Sequence, residues 1–318
     1  MRELLALLGD GRFHSGEELG QRLGISRSAV WKRLRALRDD YGIELHSIPG
    51  RGYRLTAPIT LLDEPTLAVG LADCGWRLHV CDQIDSTNTE ALRRLAAGEE
   101  APFVVMAEQQ SAGRGRRGRV WASPYGQNLY YSLALKLTGG VAQLQGLSLS
   151  VGLAVVKALQ GLGLTEAGVK WPNDVLVDGR KIAGILVDIQ GDPADVYWAV
   201  IGIGVNVNMH QIASVDQPWT SMAMVDQQDF DRTQVALDLS RALKHCLDQH
   251  LSQGFATLRE QWQQVHVWQG RDVVLSVSEH QALKGRALGV DDGGALLLLI
   301  NGQERAFNAG ELTLRLDT

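Results

Sequence analysis

The chain has 318 residues, 45% hydrophobic and 21% charged; this length suits two or three domains, and the composition excludes wholesale disorder. Lys and Arg number 31 against 36 Asp and Glu, a net charge of −5, which excludes a whole-molecule attraction to nucleic acid and leaves only local binding. The opening MRELLALLGD is too short and too interrupted by charge for a secretory signal, and no run of about 18 uncharged apolar residues reads as a membrane span. Cys74, Cys81 and Cys246 show neither even pairing nor metal-ligand spacing. That predicts a reducing, cytoplasmic setting without a structural disulfide.

In chain order, RELLALL reads as a short helix stopped at Gly9-Asp10-Gly11. Ser15 with Glu18 forms a capping box that opens GEELGQRL, which ends at Gly24; Ser26 then caps RSAVWKRLRALR. In that third helix Val30, Leu34 and Leu37 make the apolar stripe. Two helices joined by a short Gly-containing turn, the second one basic, match a helix-turn-helix. IELHSIPGRGYRL follows as two strands around a basic tip, a wing. Between Ser26 and Arg38 stand five basic residues and no acidic one. A lone basic helix would read as a solvated face, but the capped helix before it and the wing after it favour DNA. Ser26, Arg27, Ser28, Lys32, Arg33, Arg35 and Arg51 are the candidate contacts, with the arginines on phosphates and Ser28 and Lys32 reaching base edges.

TAPITLLDEP is a Pro-containing link. Beyond it, strand-like runs at 77–84, 103–108, 129–136, 169–171, 182–188 and 196–207 alternate with helix-like runs at 87–97, 144–162 and 235–251. These predict an α+β domain on a mixed sheet. From about residue 270 short strands (DVVLSV, KGRALGV, GALLLLI, ERAF, LTLRL) separated by SEHQ, DDGG and NG have the spacing of a small β-barrel.

Three segments of the middle region carry candidate chemistry. GRGRRGR (113–119) lies between two strands, so it reads as a tethered loop whose glycines admit a ligand and whose arginines suit carboxylate and phosphate. It lacks the Gly-Lys-Ser/Thr ending of a Walker A loop and no helix follows, which excludes a P-loop ATPase. In KWPNDVLVDGRKIAGILVD, Asp178-Gly179 signals a hairpin that holds Lys181 near a strand start, its ammonium usable on a phosphate; alone, Lys181 reads rather as a solvated hairpin lysine. In IDSTN, Asp85–Thr87 lead from a strand into a helix with Thr87 and Glu90 as a capping box, a terminus that offers free amides.

Together these segments resemble the biotin–protein ligase family. STN, QQSAGRGRRGRVW, NLYYSLAL, KWPNDVLVDGRKIAGILVD and GIGVNVN stand in family order, and the two ends extend the resemblance over essentially the whole chain. It resembles the two-function form, ligase plus biotin-operon repressor. The resemblance implies an α+β multidomain fold: a winged helix-turn-helix at 1–58, a mixed-sheet ligase domain at 62–268 and a small SH3-like β-barrel at 269–318. It implies that biotin and ATP, with Mg2+ bridging the phosphates, give biotinyl-5′-AMP, whose acyl group passes to a lysine of biotin carboxyl carrier protein. Ser86, Thr87, Asn88, Gln110, Gly113 and Gly115 would hold biotin. Arg114 and Arg116 would hold its carboxylate and the α-phosphate, Lys181 would stabilise phosphate charge, and no protein metal site is expected.

On the nucleotide side the same resemblance places Arg117, Arg119 and Trp121 around the adenylate, and Asn173 and Asn206 beside it. It gives Ser111 no ligand role, and places Trp219, in the loosely matching segment 207–222, against adenine. Asp174 is the candidate to orient or deprotonate the attacking lysine. The repressor form implies operator DNA, biotinyl-5′-AMP as corepressor and a homodimer when adenylate is bound, expected through the sheet edge near 196–207. The alternatives are a biotin-sensing repressor without ligase activity, disfavoured by the intact arginine loop and Lys181, and a lipoate-type ligase, disfavoured by the helix-turn-helix.

Overall fold

Two serines start the N-terminal helices as expected. Ser15 Oγ accepts from the Glu18 amide ahead of α2 (Gly16–Leu23), and Ser26 Oγ accepts from the Ala29 amide ahead of α3 (Arg27–Asp39). With α1 (Arg2–Leu8) they bury Leu4, Leu5, Leu19, Val30, Leu34 and Leu37 in one apolar cluster. The hairpin β1 (Leu45–Ile48) and β2 (Gly52–Leu55) follows. The fold is that of a computed structural model, which describes residues 1–191, 196–212, 215, 217–276, 282–309 and 312–317. The expected turn SEHQ and parts of segment 207–222 lie outside the described residues.

His14 fastens the hairpin to the helices. Its amide and carbonyl bond to Tyr53 of β2, and a Cβ on Gly52, at φ +103°, would stand 2.0 Å from its carbonyl oxygen. Its buried ring lies between two carboxylates, with Nε2 2.8 Å from Asp10 and Nδ1 3.0 Å from Glu18. Only the imidazolium donates from both nitrogens. Burial opposes the charge, but the bonds to Asp10 and Glu18 outweigh it and hold the pKa above the ordinary histidine value. A raised folded pKa means this stabilisation is complete below the unfolded value of about 6.5 and is lost as pH rises through the folded value. Chemical denaturation of the N-terminal domain should therefore show stability falling as pH rises through that window, and His14→Gln should flatten the fall.

The middle of the chain forms a seven-stranded sheet, ordered β3 (Arg77–Ile84), β4 (Phe103–Gln110), β5 (Leu129–Leu137), β9 (Tyr197–Val205), β8 (Arg180–Gly191), β7 (Asp174–Val177) and β6 (Gly168–Lys170). β3 and β4 are parallel and the other pairs antiparallel, the expected mixed sheet. Alternation along β4 serves both faces: Phe103 and Val105 pack toward α5 (Thr87–Ala96), while Val104 and Met106 enter the main core. There α6 (Leu147–Gly161), apolar nearly all round, packs against the sheet and the long α8 (Arg232–Gln253). β9 lies between β5 and β8, so the expected pairing of two copies through a sheet edge at 196–207 is not available there. Its backbone groups are already used by its neighbours.

Three further elements escape the sequence reading: α4 (Glu64–Ala72) and the short helices α7 (Met222–Asp226) and α9 (Arg259–Gln264). α4 begins inside the expected Pro-containing link; Asp63 caps it and Pro65 sits in its first turn, where a missing amide costs nothing. The capping box expected at Thr87 and Glu90 does not form. Ser86 is the N-cap and makes no side-chain cap bond, the Thr87 hydroxyl donates to Gln110, and Glu90 pairs with Arg93 and Arg94.

The C-terminal strands β10 (Asp272–Ser276), β11 (Ala282–Val290), β12 (Leu296–Ile300), β13 (Gln303–Phe307) and β14 (Thr313–Leu316) form an antiparallel sheet ordered β13-β12-β11-β10-β14. It adjoins the middle region where Trp171 Nε1 donates to the Gly294 carbonyl. At the other end, Tyr125, nine positions after Arg116, lies in the N-terminal apolar cluster, edge-on to Tyr41, and its hydroxyl donates to Asp82 on β3.

Candidate active site

The Arg/Gly loop is a small hairpin closed on itself. Gly115 donates to the Arg119 carbonyl and Trp121 to that of Gly113. Its tip is a single 3-10 turn, Arg116–Gly118, with Arg117 in the left-handed region at φ 59°. Gly113 has to be glycine: a Cβ there would lie 2.5 Å from the Trp121 carbonyl oxygen.

Lys181 reaches the site through a local irregularity. Asp178-Gly179 makes the expected tight turn, both residues at positive φ. On the return strand Ile182 is an extra residue, because Leu176 pairs with Lys181 while Val175 pairs with Ala183. Without this bulge Lys181 and Gly184, three positions apart, would face opposite sides of the sheet. With it, Lys181 turns to the face of Gly184, and Nζ lies 5.3 Å from the centre of the Trp121 ring. The indole lies flat on the sheet: a Cβ on Gly204 would stand 2.4 Å from it, and one on Gly184 3.0 Å.

These pieces enclose two adjoining spaces. A narrow slot is lined by Ser86, Thr87, Asn88, Gln110, Arg114, Gly115 and the sheet glycines 184, 202 and 204. A cavity of about 530 Å3 is lined by Arg117, Arg119, Asp174, Asn206, Trp219 and residues 312–314. Gly115, Arg116, Trp121, Asn173 and Lys181 border both. The structure therefore brings the candidate residues together, apart from Gly113, which lines neither space. Around the slot, Thr87 donates to Gln110 Oε1 from its amide and hydroxyl, Gln110 donates to Ser123, and Ser132 donates to Asn88 Oδ1. The Asn206 amide donates to the Thr220 carbonyl. That bond ties the strand end to the Trp219 segment.

Positive charge gathers where the two spaces meet. Asp174 holds Lys181 at 2.6 Å through one oxygen and Lys170 at 3.3 Å through the other. Burial alone would raise its pKa, but the two ammoniums overcome that and hold it below the ordinary carboxylate value. Lys170 is shifted down by burial, with Asp174 opposing. A carboxylate whose pKa is lowered is a weaker proton acceptor. Of the two roles expected of Asp174, this speaks for orienting the attacking lysine rather than deprotonating it. Arg116 donates to Asn173 Oδ1 at 3.0 Å and to the Ala309 carbonyl at 3.3 Å, and Arg117 to Thr313 at 3.2 Å. Lys170, Ser132 and the C-terminal contacts escaped the sequence reading; a polar Ser132 inside the apolar run NLYYSLAL was the available signal. Among the described residues no cluster of three or more His, Cys, Asp or Glu could hold a metal.

On the N-terminal unit, Arg27, Ser28, Lys32 and Arg35 are exposed along α3, and Arg51 is exposed at the hairpin tip. Ser26 Oγ is 2.9 Å from Ser28 Oγ, Arg33 is half-buried, and Arg35 pairs with Asp39. A groove between α3 and the hairpin is lined by Arg27, Ser28, Trp31, Ile48, Pro49 and Tyr53.

The chain is 39% identical over 98% of its length to the bifunctional ligase/repressor BirA of Escherichia coli (strain K12), covering 96% of that relative. The chain belongs to the bifunctional biotin ligase/repressor family. The Biotin/lipoate A/B protein ligase family model matches residues 80–206, an HTH domain matches 1–54, and the Biotin protein ligase C terminal domain matches 270–315. The biotin--[acetyl-CoA-carboxylase] ligase of Mycobacterium tuberculosis (strain ATCC 25618 / H37Rv) is 35% identical over 79% of this chain and 95% of its own. Among solved structures, the biotin protein ligase from Aquifex aeolicus in complex with biotin and ATP superposes with a TM-score of 0.66. It is 27% identical, covering 76% of this chain and 99% of that one. The arginine hairpin, the lysine pair and the glycine floor thus stand inside the matched ligase region.

Proposed function

We propose that this chain is an ATP-dependent biotin protein ligase joined to a DNA-binding repressor. The observation that carries the reading is the junction where Arg116, Lys181 and Asn173 border both the slot and the larger cavity. Biotin enters the slot, its ring among Ser86, Thr87, Asn88 and Gln110 beside the Trp121 indole that covers Gly184 and Gly204, its carboxylate pointing to the junction. ATP takes the larger cavity, whose volume lies in the range of small-molecule sites. Arg117, Arg119, Trp121, Asn206 and Trp219 surround the nucleotide. The biotin carboxylate oxygen attacks the α-phosphorus and pyrophosphate leaves, giving biotinyl-5′-AMP.

Two anions must approach for that step, so fixed cations at the junction lower the barrier. Among the described residues Asp174 is the one carboxylate lining the cavity, and two lysines hold it, so Mg2+ would be carried by the ATP phosphates. The Arg/Gly hairpin shields the adenylate from water. A lysine amine of biotin carboxyl carrier protein then attacks the acyl carbon, and AMP leaves with the electron pair of the broken bond. Asp174 holds Lys181 aimed throughout.

The domain limits we assign are 1–58, 62–268 and 269–318. The N-terminal hairpin acts as the wing of a winged helix-turn-helix, with α3 in the major groove and Arg51 on the backbone. The C-terminal sheet is read as an SH3-like barrel. Biotinyl-5′-AMP is the corepressor, and the adenylate-bound form is a homodimer in the cytoplasm. Transfer of labelled biotin to carrier protein with ATP tests the ligase. No transfer together with intact operator binding leaves a sensing repressor, and preferential use of lipoate overturns the substrate. Equal sedimentation with and without adenylate overturns the dimer. Gly204→Ala should push Trp121 off the sheet and weaken biotin binding at least about tenfold, read by calorimetric titration. Unchanged affinity would show that the indole position does not matter.

A further inference from the structure

We infer that Asp188 is a positioning residue, whose carboxylate latches the Arg/Gly hairpin shut over the slot through Arg114. The inference rests on the ligase reading above and assigns Arg114 to the protein, not to biotin's carboxylate. Asp188 lies on the same face of β8 as Gly184 and Leu186, at the end of the slot away from Lys181. One oxygen, Oδ2, accepts from Arg114 Nη2 at 2.9 Å and from Asn88 Nδ2 at 3.1 Å. Asn88 is otherwise committed: Oδ1 accepts from Ser132 and Nδ2 also faces the Leu186 carbonyl at 3.4 Å. A Cβ on Gly202 would stand 2.3 Å from that amide oxygen, so the glycine makes the room. A single carboxylate thus joins the hairpin that borders the slot to Asn88, which lines it.

The latch has the strength a lid needs. The side chains of Arg114 and Asp188 are 46% and 25% exposed. An ion pair so placed shifts an opening equilibrium only about two- to fivefold. That is enough to bias the hairpin closed while an adenylate is held and weak enough to open in each turnover. Arg116 and Lys181 remain as the cations for carboxylate and phosphate.

The test is the release rate of labelled biotinyl-5′-AMP, preformed on the full-length protein from biotin and ATP and chased with unlabelled biotin and ATP. Four proteins are compared: wild type, Arg114→Met, Asp188→Asn and the double variant. Asp188→Asn keeps an acceptor for Asn88 and removes only the charge. The latch predicts two- to fivefold faster release in each single variant and no further gain in the double. Wild-type release should also speed up with salt by the same factor, while the variants stay flat. Wild-type release by Asp188→Asn, or effects that multiply in the double variant, would overturn it. If wild type forms no adenylate, the ligase reading fails separately. The latch is then read from hydrogen exchange of the 113–121 amides, faster in all three variants if it holds and identical if it does not.

Discussion

Lys181→Ala is expected to slow biotinyl-5′-AMP formation by about a hundredfold, the loss seen when one preorganised donor is removed from a developing charge. Its ammonium stands where the slot meets the larger cavity, 2.6 Å from Asp174 and over the Trp121 ring. There it faces the carboxylate and the α-phosphate as they approach. Two features make the loss large. Lys181 is mostly buried among Trp121, Trp171 and Trp219, so water replaces the missing charge poorly. The variant also leaves Asp174 with Lys170 alone, adding an anion that repels the incoming phosphates. Biotin-dependent ATP–pyrophosphate exchange measures the step. A loss under about threefold, less than 1 kcal/mol of barrier, would mean that Lys181 only steadies Asp174. Lys181→Arg should recover part of the rate, since charge is kept but a planar fork replaces a point charge.

Removing the carboxylate of Glu108 is expected to cost about 3–5 kcal/mol of stability, because it strands a buried cation. Glu108 is fully buried on β4, and Oε2 meets Arg232 Nη2 of α8 at 2.5 Å. Arg232 also donates to the carbonyls of Asn128 and Thr60, while Glu108 Oε1 accepts the Leu62 amide. Arg2 of α1 stands 3.7 Å from the same carboxylate and donates to the Leu62 carbonyl. The first helix, the link, the central sheet and the longest helix therefore meet at one ion pair. Chemical denaturation of Glu108→Gln should show the full loss, and the double variant Glu108→Gln/Arg232→Met should recover part of it. If Glu108→Gln unfolds like wild type, the pair is hydrated and contributes little.

Local chemistry made much of the fold legible. Ser15 and Ser26 start helices because a hydroxyl before a helix satisfies a free amide, whatever lies elsewhere. Asp178-Gly179 turns because those two residues tolerate positive φ. Thr87 misled the same logic: its hydroxyl was competed for by Gln110, 23 positions away, and the capping box gave way. α4 hid in an apparent link because Pro65 reads as a breaker unless its place in the first turn is known.

By itself, then, the amino-acid sequence determined the helix starts, the hairpins, the runs of strand and helix and, Lys170 excepted, the cations that the site draws on. The first three depend on neighbours within a few positions. Tertiary structure alone decided where the cations point. Lys181 faces the site because one extra residue in β8 shifts the pleat. Arg114 turns to Asp188, 74 positions on, and Arg232 to Glu108, 124 positions back. Pairings at such range leave no periodic trace, since a guanidinium accepts whichever carboxylate the folded sheet brings within reach.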